Sequence, residues 1–295
     1  MKERPTLITP ELLRAMPLPW PDEGGDKEER GRVLVVGGGR ETPGAVVLAG
    51  TAALRAGAGK LQVATGASNA ALVASALPEA RVFPLPETRT GKLSKSACAA
   101  LKDYLGKAQC ACIGPGLIED ASVARFVEGL LRLCREAPVV LDAGAVACLR
   151  EGRALLHALG GRAVVTPNAD ELEEIYGEGL TSEGALSAAR RAASDFRSVV
   201  VLKGRETFIA APSGEAYVNR AGSVGLATSG SGDVLAGVIA GLVARGAEPL
   251  RAAVWGVYLH ARAGEQLAAR VGPLGFLARE LPAEVPPLMR ELSTT

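Results

Sequence analysis

The 295-residue sequence is poor in histidine, holds no CxxC pair, has no long apolar run and carries almost no net charge. With only His157 and His260 present, neither a histidine-rich metal cluster nor a Ser-His-Asp triad is expected. His157 reads as a helix residue without special function, and His260 as either a packed imidazole or part of a pocket wall. The five cysteines, at 98, 110, 112, 134 and 148, are odd in number, which argues against a disulfide framework. They read as reduced thiols in a cytoplasmic protein, with Cys110 and Cys112 at strand spacing and therefore core packing. Lys plus Arg total 33 against 32 Asp plus Glu, and the basic residues are scattered. That distribution gives no footprint for nucleic acid or an anionic membrane. The N-terminal residues lack the apolar run of a signal peptide or a membrane span, so no export is expected. A small molecule is the partner these absences leave.

The length suits one large α/β domain. From residue 32, short Val-rich runs ending in Gly, Pro or Asp alternate with Ala/Leu-rich stretches of helical length, the pattern of βαβ units on a parallel sheet. Strands are predicted at 32–37, 60–65, 80–85, 109–114, 138–143, 162–167 and 198–204. Helices are predicted near 44–57, 94–106, 120–135, 169–176, 182–195, 232–245 and 250–270. "TFIAAP" and "EAYVN", joined by Ser213 and Gly214, read as a hairpin that adds antiparallel strands near the end of the sheet. Residues 1–30 read as an N-terminal arm or loop, 31–295 as the single domain, and "LPAEVPPLMREL" as a Pro-containing tail.

Two nucleotide-binding patterns fail on inspection. "AGAGKL" ends like a phosphate loop, but Leu61 stands where Ser or Thr must hold magnesium and Leu54 where the first glycine is needed. "GGGRETPG" does not complete GxGxxG, and remains a glycine-rich turn open to close approach by a ligand. The stretch "TSGSGDVLAGVIAGL" is more informative. Gly230, Ser231 and Gly232 directly precede a smooth apolar helix, so their backbone N–H groups fall at its positive end, an anion site. Asp233 beside such a site is unfavourable unless it has a task, and one task is to take the proton of a hydroxyl that attacks a phosphoryl group. The alternative is simple complementation of the helix dipole. "GPGL" (114–117), "DAGA" (142–145), "TPNADE" (166–171) and "KGRET" (203–207) close successive strands, where open α/β sheets bind ligands.

Residues 219–264, "NRAGSVGLATSGSGDVLAGVIAGLVARGAEPLRAAVWGVYLHARAG", closely resemble the C-terminal region of the ADP- or ATP-dependent NAD(P)H-hydrate dehydratases of the ribokinase-like superfamily. "VVGGG", "TPGAVVLAG", "ALRAGAGK", "IGPGL", "LDAGA", "TPNADEL" and "VVLKGRET" extend the resemblance over about 31–282. It implies a ribokinase-like α/β fold: a central, mostly parallel sheet with helices on both faces and antiparallel strands near one end. It also implies a cofactor-repair lyase that returns (6S)-NAD(P)H hydrate to NAD(P)H by phosphorylating the ring hydroxyl and eliminating phosphate.

Carried onto this sequence, the resemblance makes Asp233 the base and a substrate contact. Ala45, Gly116 and Asn168 join it around the hydrated nicotinamide. Lys203, Gly204, Arg205, Glu206 and Thr207, with Gly230, Ser231 and Gly232, take the adenosine nucleotide. Mg²⁺ is expected with ADP or ATP, held mainly through phosphates and water, with no dedicated metal cage. The stand-alone form suggests ADP and a separate NAD(P)H-hydrate epimerase, and the resemblance implies a homo-oligomer, with a tetramer as one form. Three departures stand out. Asn168 replaces the family histidine after Thr-Pro, "GGDKEERG" replaces a His-Lys-Gly loop, and Ser229 with "GSVG" replaces the family's Asn-Pro-Gly and second glycine. The alternatives are a small-molecule kinase of the thiamine-precursor type and a non-catalytic nucleotide sensor.

Overall fold

The Val-rich runs assemble into one ten-stranded sheet in a computed structural model that describes residues 4–20, 24, 26–134, 136–177, 179–180 and 184–293. The strands are β1 (Thr6–Leu7), β2 (Arg32–Val36), β3 (Lys60–Gly66), β4 (Ala80–Leu85), β5 (Cys110–Ile113), β6 (Val139–Leu141), β7 (Ala163–Val165), β8 (Val199–Leu202), β9 (Thr207–Ala210) and β10 (Ala216–Asn219). Their spatial order is β1-β10-β9-β8-β7-β6-β5-β2-β3-β4. Strands β2 to β8 run parallel, while β9 is antiparallel to both of its neighbours. This is the mixed sheet expected from the sequence.

The strands read as unbroken apolar runs because both faces are covered. Val33 and Val35 of β2 enter one core, while Leu34 and Val36 enter the other, all four without exposure. Helices Gly44–Arg55, Ser231–Ala244, Pro249–Arg270 and Leu281–Ser293 cover the first face. Cys98–Leu105, Ala121–Leu133 and Ala185–Phe196 cover the second. Cys110 and Cys112 pack into the first core, where burial pushes both thiols up. From Val234 to Ala244 every residue of the Ser231–Ala244 helix is buried, so its N-terminus is presented on a rigid support.

Both ends of the chain hold more structure than the sequence suggested. The expected arm contributes β1, which pairs with β10, and a helix, Pro10–Ala15, capped by the Thr9 hydroxyl and anchored by the fully buried Leu13. Arg245 and Trp255 then donate to the Pro19 and Met16 carbonyls. The Pro-containing tail is the helix Leu281–Ser293, with Pro286 and Pro287 inside it. Two prolines forfeit backbone hydrogen bonds, but Leu281, Val285, Leu288, Met289 and Leu292 share one buried face, and that burial outweighs the loss. Residues 1–3, 21–23 and 25 of the arm, and 135 and 182–183 of two expected helices, lie outside the described residues.

Candidate active site

The loops after β5, β6, β7 and β8 meet at the carboxyl edge of the sheet, facing the N-terminus of the Ser231–Ala244 helix. Asp142, directly after β6, is 2% exposed and organises this edge. Its Oδ1 accepts from Lys203 Nζ at 2.9 Å and from Thr166 Oγ1 at 2.7 Å. Lys203 Nζ also lies 3.6 Å from Glu171 Oε2. Burial alone would lower the Lys203 ammonium, but the Asp142 and Glu171 carboxylates override it and hold it above its ordinary value. The next residue, Ala143, adopts φ 48° and ψ −131°, a conformation that costs a residue with a Cβ on the order of 1–3 kcal/mol. Strain of this kind persists where the surroundings over-determine the chain, here between a buried ion pair and a packed helix.

Opposite this network, Gly230 is the N-cap of the Ser231–Ala244 helix at φ 88°, a left-handed turn that admits glycine readily. A side chain there would meet Leu48 and Ala278, so Gly230 shapes the turn and faces the core. Gly232 faces the site: a Cβ at this position would lie 3.6 Å from Lys203 Nζ and 3.7 Å from Asp142 Oδ2. The amide-rich helix mouth and the ammonium therefore converge on one point, suited to a phosphate.

Asp233 occupies the third position of this helix. Burial first, then the Asp142 carboxylate, push its pKa up to about 7, against the opposing effects of Lys203 and the Gly116 N–H. Gly116 sits at φ 68°, and a Cβ there would be 2.7 Å from that of Ala45. Asp233, Gly116 and Ala45 are thus neighbours, and none of the three lines the cavity formed by the nucleotide-binding candidates. Gly38 and Gly39 donate to the Pro115 and Gly116 carbonyls, and Thr42 Oγ1 donates to the latter at 2.7 Å. The glycine-rich turn therefore lets the loop after β5 approach closely.

A cavity of about 1120 Å³ opens beside Lys203 and Gly232. Asn168, Lys203 to Thr207, Ser231 and Gly232 line it, and Leu235, Val257 and Ala261 give it an apolar wall. Glu206 and Arg220 pair at 2.6 Å on its exposed rim. The large half-apolar cavity reaches Ser231 and Gly232 at the helix mouth, and Asp233 follows them with Gly116 as its neighbour.

A family model for NAD(P)H-hydrate dehydratase matches residues 33–287. The chain belongs to the NAD(P)H-hydrate dehydratase family. It is 48% identical over 289 residues to the ADP-dependent (S)-NAD(P)H-hydrate dehydratase of Xanthomonas campestris pv. campestris, covering 97% of this chain and 96% of the relative. A bifunctional NAD(P)H-hydrate repair enzyme of Moorella thermoacetica is 38% identical over 97% of this chain, which spans 54% of that relative's length. Among solved structures, the ADP/ATP-dependent NAD(P)H-hydrate dehydratase of Bacillus subtilis, co-crystallised with ATP/Mg²⁺, aligns with TM-score 0.80 and 28% identity over 97% of this chain and 98% of its own. The fold is ribokinase-like, as in a solved protein of that superfamily from Enterococcus faecalis.

Within this dehydratase-family framework, Asn168 has a structural task where the family's histidine was expected. Its side chain accepts from Glu171 N at 2.8 Å, while Glu171 Oε2 accepts from Asn168 N at 2.7 Å, a reciprocal cap on the Ala169–Tyr176 helix. Sequence reasoning named the segments holding Asp142, Thr166 and Glu171 but gave these residues no roles. The signal was a carboxylate one position beyond a buried strand, followed by a polar residue at the same place on the next strand. Among the described residues no cluster of three His, Cys, Asp or Glu side chains could cage a metal. No helix among them is long and apolar enough to cross a membrane. His157 bonds the Asp195 carbonyl at 2.8 Å and is not among the residues that line the cavity.

Proposed function

We propose that the chain is a nucleotide-dependent NAD(P)H-hydrate dehydratase in which Asp233 joins two half-sites. The supporting observation is the position of Asp233: a half-buried carboxyl group with its pKa raised to about 7, adjoining the Gly232 and Lys203 anion site and in contact with Gly116 beside Ala45. The adenosine nucleotide occupies the large cavity along Lys203 to Thr207, its terminal phosphates against Ser231 and Gly232. The hydrated nicotinamide lies against Ala45 and Gly116, with Asn168 bordering the two regions. Asp233 takes the proton from the ring hydroxyl as its oxygen attacks the terminal phosphorus, and the nucleotide leaves one phosphate shorter. The ring nitrogen's lone pair then expels phosphate, and loss of a proton from the adjacent ring carbon restores the double bond.

The residues fit a divalent ion that arrives with the nucleotide, since phosphate oxygens and water supply a Mg²⁺ shell without a protein cage. When bound, the ion neutralises charge on the phosphates. ADP is the donor we favour, as in the name of the Xanthomonas relative. The bifunctional relatives support a partnership with a separate epimerase, and we place the enzyme in the cytoplasm as a homo-oligomer.

The test is the absorbance of the reduced nicotinamide when protein and Mg²⁺ meet hydrated NADH with ADP, with ATP or with neither. A rise that requires nucleotide supports the reading and identifies the donor. No rise despite measured nucleotide binding overturns it and favours a kinase of another alcohol.

A further inference from the structure

His260, on the Pro249–Arg270 helix, lines the nucleotide cavity beside Ser231. Its Nε2 lies 3.0 Å from Ser231 Oγ and 3.1 Å from the Ser231 carbonyl oxygen. A carbonyl oxygen only accepts, so an Nε2 lone pair facing it at that distance would be repelled, whereas an Nε2–H serves both oxygens. Burial pushes the imidazole down to about 4, and Lys203 further disfavours its protonation, so the ring is neutral and carries one proton. The carbonyl therefore fixes that proton on Nε2. The consequence falls on Ser231: its hydroxyl oxygen accepts from His260, and its own proton is released to donate elsewhere. Gly232 and Lys203 mark where an anion would receive it.

We propose that His260 is a positioning residue of the nucleotide site: by donating from Nε2 to Ser231, it makes the Ser231 hydroxyl a donor to the phosphate chain. The inference rests on the functional reading above only for the ligand's class, an adenosine phosphate.

Calorimetric binding of ADP and of adenosine tests it. His260→Leu should weaken ADP about tenfold, the range of a hydrogen bond to a charged group, while adenosine stays within about threefold. His260→Asn, too short to reach Ser231, carries the same expectation if the leucine variant does not fold. His260→Gln, whose amide N–H can take the place of Nε2–H, should retain ADP affinity. In a Ser231→Ala background the His260 substitutions should have no further effect, because the group they act through is gone. Equal losses for ADP and adenosine would make His260 only a wall, and additive losses would place its action elsewhere; either overturns the proposal. A parallel assay on hydrated NADH keeps the two readings separate. A parent protein that binds ADP without dehydrating the substrate overturns the function, while the binding cycle still decides the role of His260.

Discussion

Replacing Asp233 by asparagine removes the proposed base and, above neutral pH, should make the protein more stable. In the unfolded chain this aspartate titrates near 3.8, whereas burial and the Asp142 carboxylate hold it near 7 in the fold. Between those values the folded protein keeps a proton that the unfolded chain releases. Stability therefore falls as pH rises from about 4 to 7 and levels off beyond. At about 1.4 kcal/mol per unit the full loss approaches about 4 kcal/mol. The high effective dielectric of a partly hydrated site reduces this to about 2 kcal/mol. Asparagine keeps an acceptor for the Gly116 N–H but has no charge to desolvate. For a domain of this size the gain corresponds to a melting temperature higher by roughly 5 °C at pH 8.5. At pH 5 the folded parent is mostly protonated at Asp233, and the difference should shrink by more than half. Dehydration should fall about a thousandfold at pH 8.5, the usual scale for loss of a general base, and by a much smaller factor at pH 5, where the parent's own base is mostly protonated. Other titrations are common to both proteins and cancel in the comparison. A melting difference that is equal at pH 5 and 8.5 would refute the electrostatic argument, and near-parent turnover at pH 8.5 would refute the base assignment.

Asp142→Asn removes the negative neighbour of Asp233, so the acidic limb of the pH profile of kcat/KM should move to lower pH; an unmoved limb would sink the coupling. Lys203→Met should weaken ADP binding about tenfold, since a charge-assisted contact is lost, and should move the same limb upward because Lys203 favours ionised Asp233. Calorimetry and the pH profile check the two halves separately. Gly237→Ala sets two effects of opposite sign against each other: helix propensity adds up to about 1 kcal/mol, but the new Cβ runs into the Ala49 carbonyl with Ala49 Cα at 2.8 Å. Overpacking against backbone should win at about 3 kcal/mol, and a melting temperature that rises would overturn this packing argument.

The sheet was legible because its strands are buried on both faces, so Val33 to Val36 read as a continuous apolar run whatever their neighbours. The antiparallel end was legible from Ser213 and Gly214, whose turn chemistry leaves a short hairpin as the simplest link between two strands. The final helix was not legible, because Pro286 and Pro287 signal a break locally, while the contacts that override them come from elements far away in sequence. The same limit applied at the site. The helix mouth from Gly230 to Asp233 is a local feature and could be read directly. The bond between Asp142 and Lys203 joins residues 61 positions apart, and only the parallel order of β6, β7 and β8 brings them together. The glycine-rich turn after β2 was only half legible for a related reason. Glycine reports that something approaches the backbone, and here the Pro115 and Gly116 carbonyls arrive first.

Two accounts of Asp233 compete: a carboxylate that complements its helix dipole, or a base set between two ligands. A dipole partner should be exposed near the first turn and favour its ionised form. Asp233 instead has its neutral form favoured by burial and by a second carboxylate, and its hydrogen-bond donor, Gly116, belongs to the loop after β5. Such an arrangement costs stability, so the complementation account does not explain it. The packing beneath points the same way. Side chains at Gly237 and Gly241 would strike the backbone at Ala49 and Ala53, so the Ser231–Ala244 helix lies directly against Gly44–Arg55, the helix that carries Ala45. One glycine-lined contact thus fixes the separation between the proposed base and Ala45, the proposed wall of the substrate side. In the same proposal, a phosphoryl donor held at the head of that helix is set relative to both.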